Sequence, residues 1–215
     1  MPFLLSVVAG ATDVVTFLAL SGLFSAHITG NMAILAARLV AGNPAILSAL
    51  LSVPLFMAVL LVASCAAIVL ERSKQPSLRY LLVLQFVLLA GALLAPVALL
   101  AGMLAVAAMA VQNALAIGSL KDHPSTAAMT ANVTHLMLDL GQIIAGGDAS
   151  LVEAARNRVL RVLPLVVGFT AGLAIGAWCD AIVGWRALTL AVALAAVAVP
   201  LGWKEPSCTA RFASS

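Results

Sequence analysis

"HITGN", residues 27–31, interrupts a strongly hydrophobic stretch, and "MTAN", residues 129–132, interrupts the chain a second time. Thr and Asn are favourable N-cap residues, and Gly30 permits an unusual backbone or a close approach. The two motifs therefore predict short helices over residues 29–41 and 130–145. At 1.5 Å per residue each is roughly 20–24 Å long, less than the ~30 Å of a bilayer core. They are interpreted as half-helices, with interfacial helices as the alternative.

The rest of the chain has the composition of a membrane protein. Of its 215 residues 64% are hydrophobic and 9% charged, against about 25% charged in soluble domains. Apolar runs predict six spans, at 2–23, 45–70, two within 78–120 divided at Pro96, 162–182 and 187–203. The first run has no basic flank and contains Asp13, which favours a retained helix over a cleaved signal peptide. No basic stripe with aromatics exists, so nucleic-acid binding is not expected.

The distribution of Lys and Arg selects among topologies. With six spans, nine basic residues fall on the side of the N-terminus and two, Arg38 and Arg186, on the other. Eight spans would divide them six against five. Since basic residues collect in cytoplasmic loops, six spans with two partial helices and both termini in the cytoplasm is the favoured arrangement.

Short matches indicate that the chain is duplicated. "CAAIVLER" (65–72) matches "CDAIVGWR" (179–186) at an offset of 114, "TGN" matches "TAN" at 101, and Asp13 aligns with Asn113 at 100. The prediction is a single all-α membrane domain of two repeats, about 1–95 and 96–204, with a polar tail at 205–215. Three spans per repeat would make the repeats inverted, a plan of transporters whose sites lie at the repeat interface.

Several polar residues are candidates for a substrate path. An acid inside a span costs roughly 2.5–3.5 kcal/mol to insert and is a functional hypothesis by default. Asp13 could therefore exchange a proton, or serve structure by capping a helix or by pairing with Arg38. The candidates are Asp13, Thr29, Gly30, Asn31, Asn113, Thr130, Asn132, His135 and Asp139.

Each candidate also has a plainer reading. Asn132, His135 and Asp139 share one helical face, which could line an aqueous path or be the solvated face of an interfacial helix. Asp139 is the repeat equivalent of Arg38, which suggests an Arg38–Asp139 ion pair. The amide of Asn113 could simply hydrogen-bond between helices. His27 titrates near neutral pH in water, but beside a loop it is ordinarily a surface or capping residue.

No enzyme or metal signature is present. The sequence has no HExxH, GxSxG, P-loop or GxGxxG pattern, and its three cysteines have no metal-ligand spacing. The chain is therefore not expected to be an enzyme or to hold a metal or other cofactor.

Two longer stretches resemble a known family. "VAGATDVVTFLALSGLFSAHITGN" (8–31), and "AVQNALA" followed by "STAAMTANVTHLMLDLG", resemble the signatures of the YoaK-like family of bacterial membrane proteins, a domain of unknown function. The resemblance covers nearly the whole chain. It implies a multi-span inner-membrane protein but does not indicate which substrate, if any, the protein binds. Ala131 departs from the family pattern, which usually has Gly there, and this suggests that the second motif tolerates a Cβ.

The sequence thus favours a membrane transporter or channel for a small polar or anionic solute, coupled to a proton through Asp13. The alternative is a non-transporting membrane subunit or scaffold that packs on partners through Gly- and Ala-rich faces. The expected partners are the lipid bilayer, the solute and a second copy of the chain in a homodimer.

Overall fold

The computed structural model of the chain describes residues 1–42, 46–118 and 129–204, and all regular structure in these ranges is helical. It consists of eight α-helices and one short 3₁₀ helix, Gly184–Ala187. The α-helices are α1 (Pro2–Ala19), α2 (Ile28–Ala41), α3 (Ile46–Arg72), α4 (Ser77–Leu94), α5 (Ala98–Gly118), α6 (Met129–Ala145), α7 (Ala149–Val183) and α8 (Leu188–Lys204).

Five helical segments of the described chain are long and apolar enough to cross a membrane. Four of them lie in α1, α3, α4 and α5, and the fifth is the 55-residue segment Ala149–Trp203 that contains α7 and α8. The prediction of an all-helical protein with several apolar helices of membrane-spanning length is confirmed. The two short helices are α2, with 14 residues, and α6, with 17, which begin one residue before the predicted positions.

Helix α7 is longer than its predicted span. It begins at Ala149 rather than at residue 162, because Asp148 caps it by accepting a hydrogen bond from the backbone N–H of Ser150 at 2.8 Å. The added turns are polar, so a search for apolar runs passes over them. They bring Arg158 onto the face of α6.

The first helix of each half of the chain packs on helices of the other half. Helix α1 packs on α7 and α8, while α5 packs on α3 and α4. The short helices follow the same division, with α2 on α3 and α6 on α7. We call α1 with α6, α7 and α8 the first bundle, and α2, α3, α4 and α5 the second bundle. The two bundles meet chiefly where α4 packs on α8.

Glycines allow α1 and α7 to approach closely. A Cβ added to Gly10 would collide with the backbone carbonyl of Phe169, and one added to Gly172 would collide with that of Val7. Gly168 and Gly176 lie one helical turn to either side of Gly172, and a Cβ on either would also lie within 3.0 Å of α1. This spacing of small residues permits backbone contact between membrane helices, so α1 and α7 form a closely packed pair.

A buried amide pair connects three helices. Gln85 of α4 donates from Nε2 to Oε1 of Gln112 in α5 at 2.6 Å, and Gln112 donates from Nε2 to the carbonyl of Leu5 in α1 at 2.9 Å. Both glutamine side chains are buried. Helix α1 is therefore linked to the second bundle by a hydrogen bond as well as by packing.

Candidate solute cavity

The carboxylate of Asp13 is buried and holds the connection between α1 and α2. Its Oδ1 accepts hydrogen bonds from the backbone N–H of Ala26 at 2.7 Å and from the hydroxyl of Ser25 at 3.4 Å. Its Oδ2 lies 2.5 Å from Nδ1 of His27. Asp13 belongs to the first bundle and His27 immediately precedes α2 of the second, so this cluster joins the two bundles.

Asn31 holds the same connection from the other side. Its Oδ1 accepts from the N–H of Phe24 at 2.9 Å, and its Nδ2 donates to the Phe24 carbonyl at 2.7 Å and to the hydroxyl of Ser52 at 3.0 Å. A Cβ on Gly30 would lie 2.9 Å from the Phe24 ring. The glycine and the asparagine of "HITGN" are therefore explained by Phe24, whose ring packs against Gly30 and whose backbone is hydrogen-bonded to Asn31.

His27 lies between aromatic rings. Its imidazole packs edge-on against Phe169 of α7, with ring centroids 5.5 Å apart, and beside Phe24 at 5.7 Å. The imidazole is 34% exposed, whereas the Asp13 side chain is 1% exposed. His27 occupies the N-cap position of α2 but makes no side-chain cap hydrogen bond, because Nδ1 is turned towards Asp13.

A cavity of about 360 Å³ lies between the N-terminal residues of α2 and α6. It thus lies between the two bundles, and both interrupting motifs contribute to it. Its described lining residues are Ala26, His27, Ile28, Thr29, Phe56, Asn113, Met129, Thr130 and Ala131. None of these carries a carboxylate.

Three of the predicted path residues line this cavity, and the others do not. Thr29, Thr130 and Asn113 line it, and Asn113 also donates to the carbonyl of Met109 at 3.0 Å. Asp13 contacts Ala26 and His27 of the lining, whereas Asn31 and Gly30 contact Phe24, which is not among the described lining residues.

The polar face predicted on α6 does not act as one stripe. Asn132 is buried, with its Nδ2 4.0 Å from the sulfur of Met129, whereas His135 is exposed. The side chain of Asp139 is 9% exposed and accepts hydrogen bonds from Arg158 at 2.7 and 3.0 Å. None of the three residues of the predicted face is among the described lining residues of the cavity.

The Arg38–Asp139 ion pair was a wrong prediction. Asp139 is paired with Arg158, which the added turns of α7 bring within reach. Arg38 donates instead to the backbone carbonyl of Ser21, at the turn after α1. Arg38 thus links α2 to the turn after α1, and Arg158 links α7 to α6.

Sequence reasoning missed Phe56 and underrated His27. Phe56 lies within the long apolar run of α3, where nothing in the sequence distinguishes a cavity-lining ring from a lipid-facing one. His27 could have been found by asking which side chain in the connection would satisfy the intramembrane carboxylate of Asp13.

Comparison with known families assigns the chain. The model of a family described as "Protein of unknown function (DUF1275)" matches residues 1–201. The chain belongs to this family. Neither a curated protein nor a solved structure matches it.

The DUF1275 match confirms the family that residues 8–31, 110–116 and 125–141 resemble. It extends over the whole of α1 to α7 and most of α8. The cavity of this DUF1275 protein therefore lies wholly within the matched residues, at the two motifs that carry the resemblance.

Proposed function

We propose that this protein is a membrane transporter or channel and that the cavity between α2 and α6 is part of the path of a small polar or anionic solute. One observation carries the proposal: the first residues of both short helices, Thr29 and Thr130 among them, line the same cavity. Backbone irregularity at membrane depth is tolerated where protein buries it or water lines it. Two helix starts facing one cavity are expected where a polar solute binds.

The lining supports an anionic or hydrogen-bonding solute. The first N–H groups of a helix lack intrahelical acceptors and carry the positive end of the helix dipole. His27, at the N-cap of α2, does not cap them with its side chain. The described lining adds the hydroxyls of Thr29 and Thr130 and the amide of Asn113, without a carboxylate. The lining thus offers hydrogen-bonding groups without a negative charge, and the N–H groups at a helix N-terminus favour anions.

We also propose that the chain consists of two inverted repeats, with α1 to α4 in one and α5 to α8 in the other. The exchange of partners supports this, since the packing of α1 on α7 has its counterpart in α5 on α3, and that of α1 on α8 in α5 on α4. The packing of α2 on α3 likewise corresponds to that of α6 on α7. In transporters of this plan the site lies at the repeat interface, as the cavity would here.

The proposed topology has six spans, with α7 and α8 each crossing once, and both termini in the cytoplasm of a bacterial cell. It rests on the count of nine basic residues against two. The proposal involves no catalytic step.

Flux into proteoliposomes tests the function. Liposomes with purified protein would be given chloride, formate or acetate as anions and glycerol as a neutral polar solute, with protein-free liposomes as the reference. We expect flux of at least one probe above the reference. Thr29→Trp and Thr130→Trp should each reduce it to the reference by filling the cavity. Thr134→Trp is the matched control, because Thr134 lies one turn further along α6 and is exposed.

Absence of flux for every probe, in protein shown to be folded, would contradict the transport proposal and favour a non-transporting subunit. Flux that Thr134→Trp reduces as much as Thr130→Trp would contradict the assignment of the cavity.

A further inference from the structure

The two ring nitrogens of His27 have different surroundings. Nδ1 lies 2.5 Å from Oδ2 of Asp13. Nε2 has no hydrogen-bond partner among the residues that the structure describes. His27 is among the lining residues of the cavity and its side chain is 34% exposed, whereas Asp13 is not among them and its side chain is 1% exposed. The nitrogen left for the cavity is therefore Nε2.

We infer that His27 exchanges protons with the contents of the cavity through Nε2, and that Asp13 is a positioning residue that holds the imidazole there. This inference deepens the proposed function and rests on it. It moves the proton-exchanging role from the buried carboxylate to the imidazole in front of it.

The hydrogen bonds of Asp13 fix the tautomer of His27. Oδ1 already accepts from the N–H of Ala26 and the hydroxyl of Ser25, so both donors come from the connection that bears the histidine. Oδ2 remains for His27, and we assign Nδ1 as the nitrogen that keeps its proton and donates it to this oxygen. A carboxylate on one ring nitrogen sets the state of the other.

The proton step balances without any co-reactant. The Nε2–H bond breaks, its electron pair stays on Nε2, and the proton passes to a water molecule or to a basic oxygen of the solute in the cavity. The proton on Nδ1 stays there throughout, hydrogen-bonded to Oδ2 of Asp13. Uptake of a proton by the Nε2 lone pair restores the imidazolium.

Asp13 is the one charged residue among the described groups that surround His27. It faces the imidazole from α1; α7 contributes Phe169, and the connection contributes Phe24. The cavity lining from α3, α5 and α6 is uncharged and has no titratable side chain: Phe56, Asn113, Met129, Thr130 and Ala131.

These surroundings favour a protonated imidazole. His27 lies in the connection after α1, outside the segments long enough to span. Its hydrogen bond with Asp13, with a smaller contribution from the Asp13 charge, raises the pKa of His27 above 6.5, and partial burial opposes this. The Nε2 proton is therefore retained to a higher pH than on an unperturbed imidazole, and it is lost as pH rises through the raised pKa.

Carbethoxylation with diethyl pyrocarbonate tests the inference, because the reagent attacks an unprotonated imidazole nitrogen. The chain has three histidines, and replacing His123 and His135 by Asn leaves His27 alone. In lipid nanodiscs we expect His27 to be modified, at a rate that rises with pH around a midpoint above 6.5, the ordinary value. Thr130→Trp should slow the modification and Thr134→Trp should not.

Two substitutions separate positioning from access. Asp13→Asn keeps an oxygen for the N–H of Ala26 but removes the charge, so the midpoint should fall. Ser25→Ala removes the longest of the three contacts, at 3.4 Å, and should leave the midpoint near that of the parent. Should Asp13→Asn fail to fold, the inference is still tested by the midpoint of the pH dependence of modification in the parent and by the effect of Thr130→Trp on the rate of modification.

An unreactive His27 at every pH would overturn the inference, as would a midpoint that Asp13→Asn does not change. Neither reading requires flux, so the inference and the transport proposal can fail separately. Where the wild type transports formate, His27→Gln should flatten the pH dependence of the initial rate. Flux that keeps the wild-type pH dependence in His27→Gln would also overturn the inference.

Discussion

The side chain of Asn31 pairs with the backbone of Phe24 in both directions, accepting from its N–H at 2.9 Å and donating to its carbonyl at 2.7 Å. Asn31→Leu keeps the approximate volume but leaves both backbone groups without their partner. An unsatisfied buried polar group costs about 1–3 kcal/mol, so we expect a clear fall in Tm in detergent.

The neighbouring exposed residue supplies the control, since Met32→Leu should leave Tm unchanged. Asn31→Asp retains the acceptor but loses the donor and buries a carboxylate beside the Phe24 carbonyl, so its Tm should also fall. An unchanged Tm in Asn31→Leu would contradict the structural role given to Asn31.

The contact of α1 with α7 should not tolerate a methyl group. Gly172→Ala would force the Cβ into the carbonyl of Val7, and overpacking of this kind costs about 1–3 kcal/mol. Gly141→Ala is the matched control, because a Cβ on this helical glycine of α6 meets nothing within 4 Å. Unfolding in a denaturing detergent should be easier for Gly172→Ala alone; equal behaviour would argue against the close contact.

The pair of Gln85 and Gln112 should show energetic coupling. Gln112→Leu leaves Nε2 of buried Gln85 without its acceptor, at a cost of about 1–3 kcal/mol. The double variant with Gln85→Leu removes both groups and should be less destabilised than the sum of the single variants. A double-mutant cycle measures this, and strict additivity would show that the hydrogen bond is absent.

The ion pair of Asp139 with Arg158 should allow a charge exchange. Asp139→Arg places two guanidinium groups together, so Tm should fall, and adding Arg158→Asp should restore part of the loss. Combining Asp139→Arg with Arg38→Asp should restore nothing, since Arg38 donates to Ser21. Recovery with Arg38→Asp instead would reinstate the pairing across the two halves.

The stability of the protein should depend on pH through His27. Because its pKa is raised by the hydrogen bond with Asp13, folding favours the protonated imidazole. That stabilisation is complete below pH 6.5, the ordinary pKa, and is lost as pH rises through the raised pKa. The difference in Tm between the wild type and His27→Gln should therefore shrink as pH increases. Met32→Leu, at an exposed position without a titratable group, should show no such trend.

Local signals in the sequence predicted most of the helices. Both short helices begin within one residue of their predicted starts, but the predicted N-cap role of Thr29 and Asn31 is wrong, since both lie inside α2 and His27 occupies its N-cap. Pro96 separates α4 from α5, as its missing N–H and fixed φ require. Glycines 168, 172 and 176 were also readable as a repeated small-residue spacing, although the spacing alone does not name α1 as the partner.

Partners across the chain were harder to predict. Asp139 was assigned to Arg38 by the symmetry of the repeats, but its partner lies on polar turns of α7 that no apolar pattern marks. Asp13 was recognised as exceptional, whereas its contacts with Ser25, Ala26 and His27 depend on how the connection folds back over α1. Such contacts follow from tertiary packing, which local preferences do not specify.

The closeness of α1 to α7 has a consequence for biosynthesis. Helix α1 leaves the ribosome long before α7, the helix that Gly10 contacts, which begins only at Ala149. At about 5–20 residues per second, the intervening chain takes on the order of ten seconds to make. During that interval the N-terminal helix must wait in the insertion machinery or the lipid without its final neighbour. The carboxylate of Asp13 does not depend on α7 for its hydrogen bonds, because their donors, Ser25 and Ala26, lie in the connection that directly follows α1.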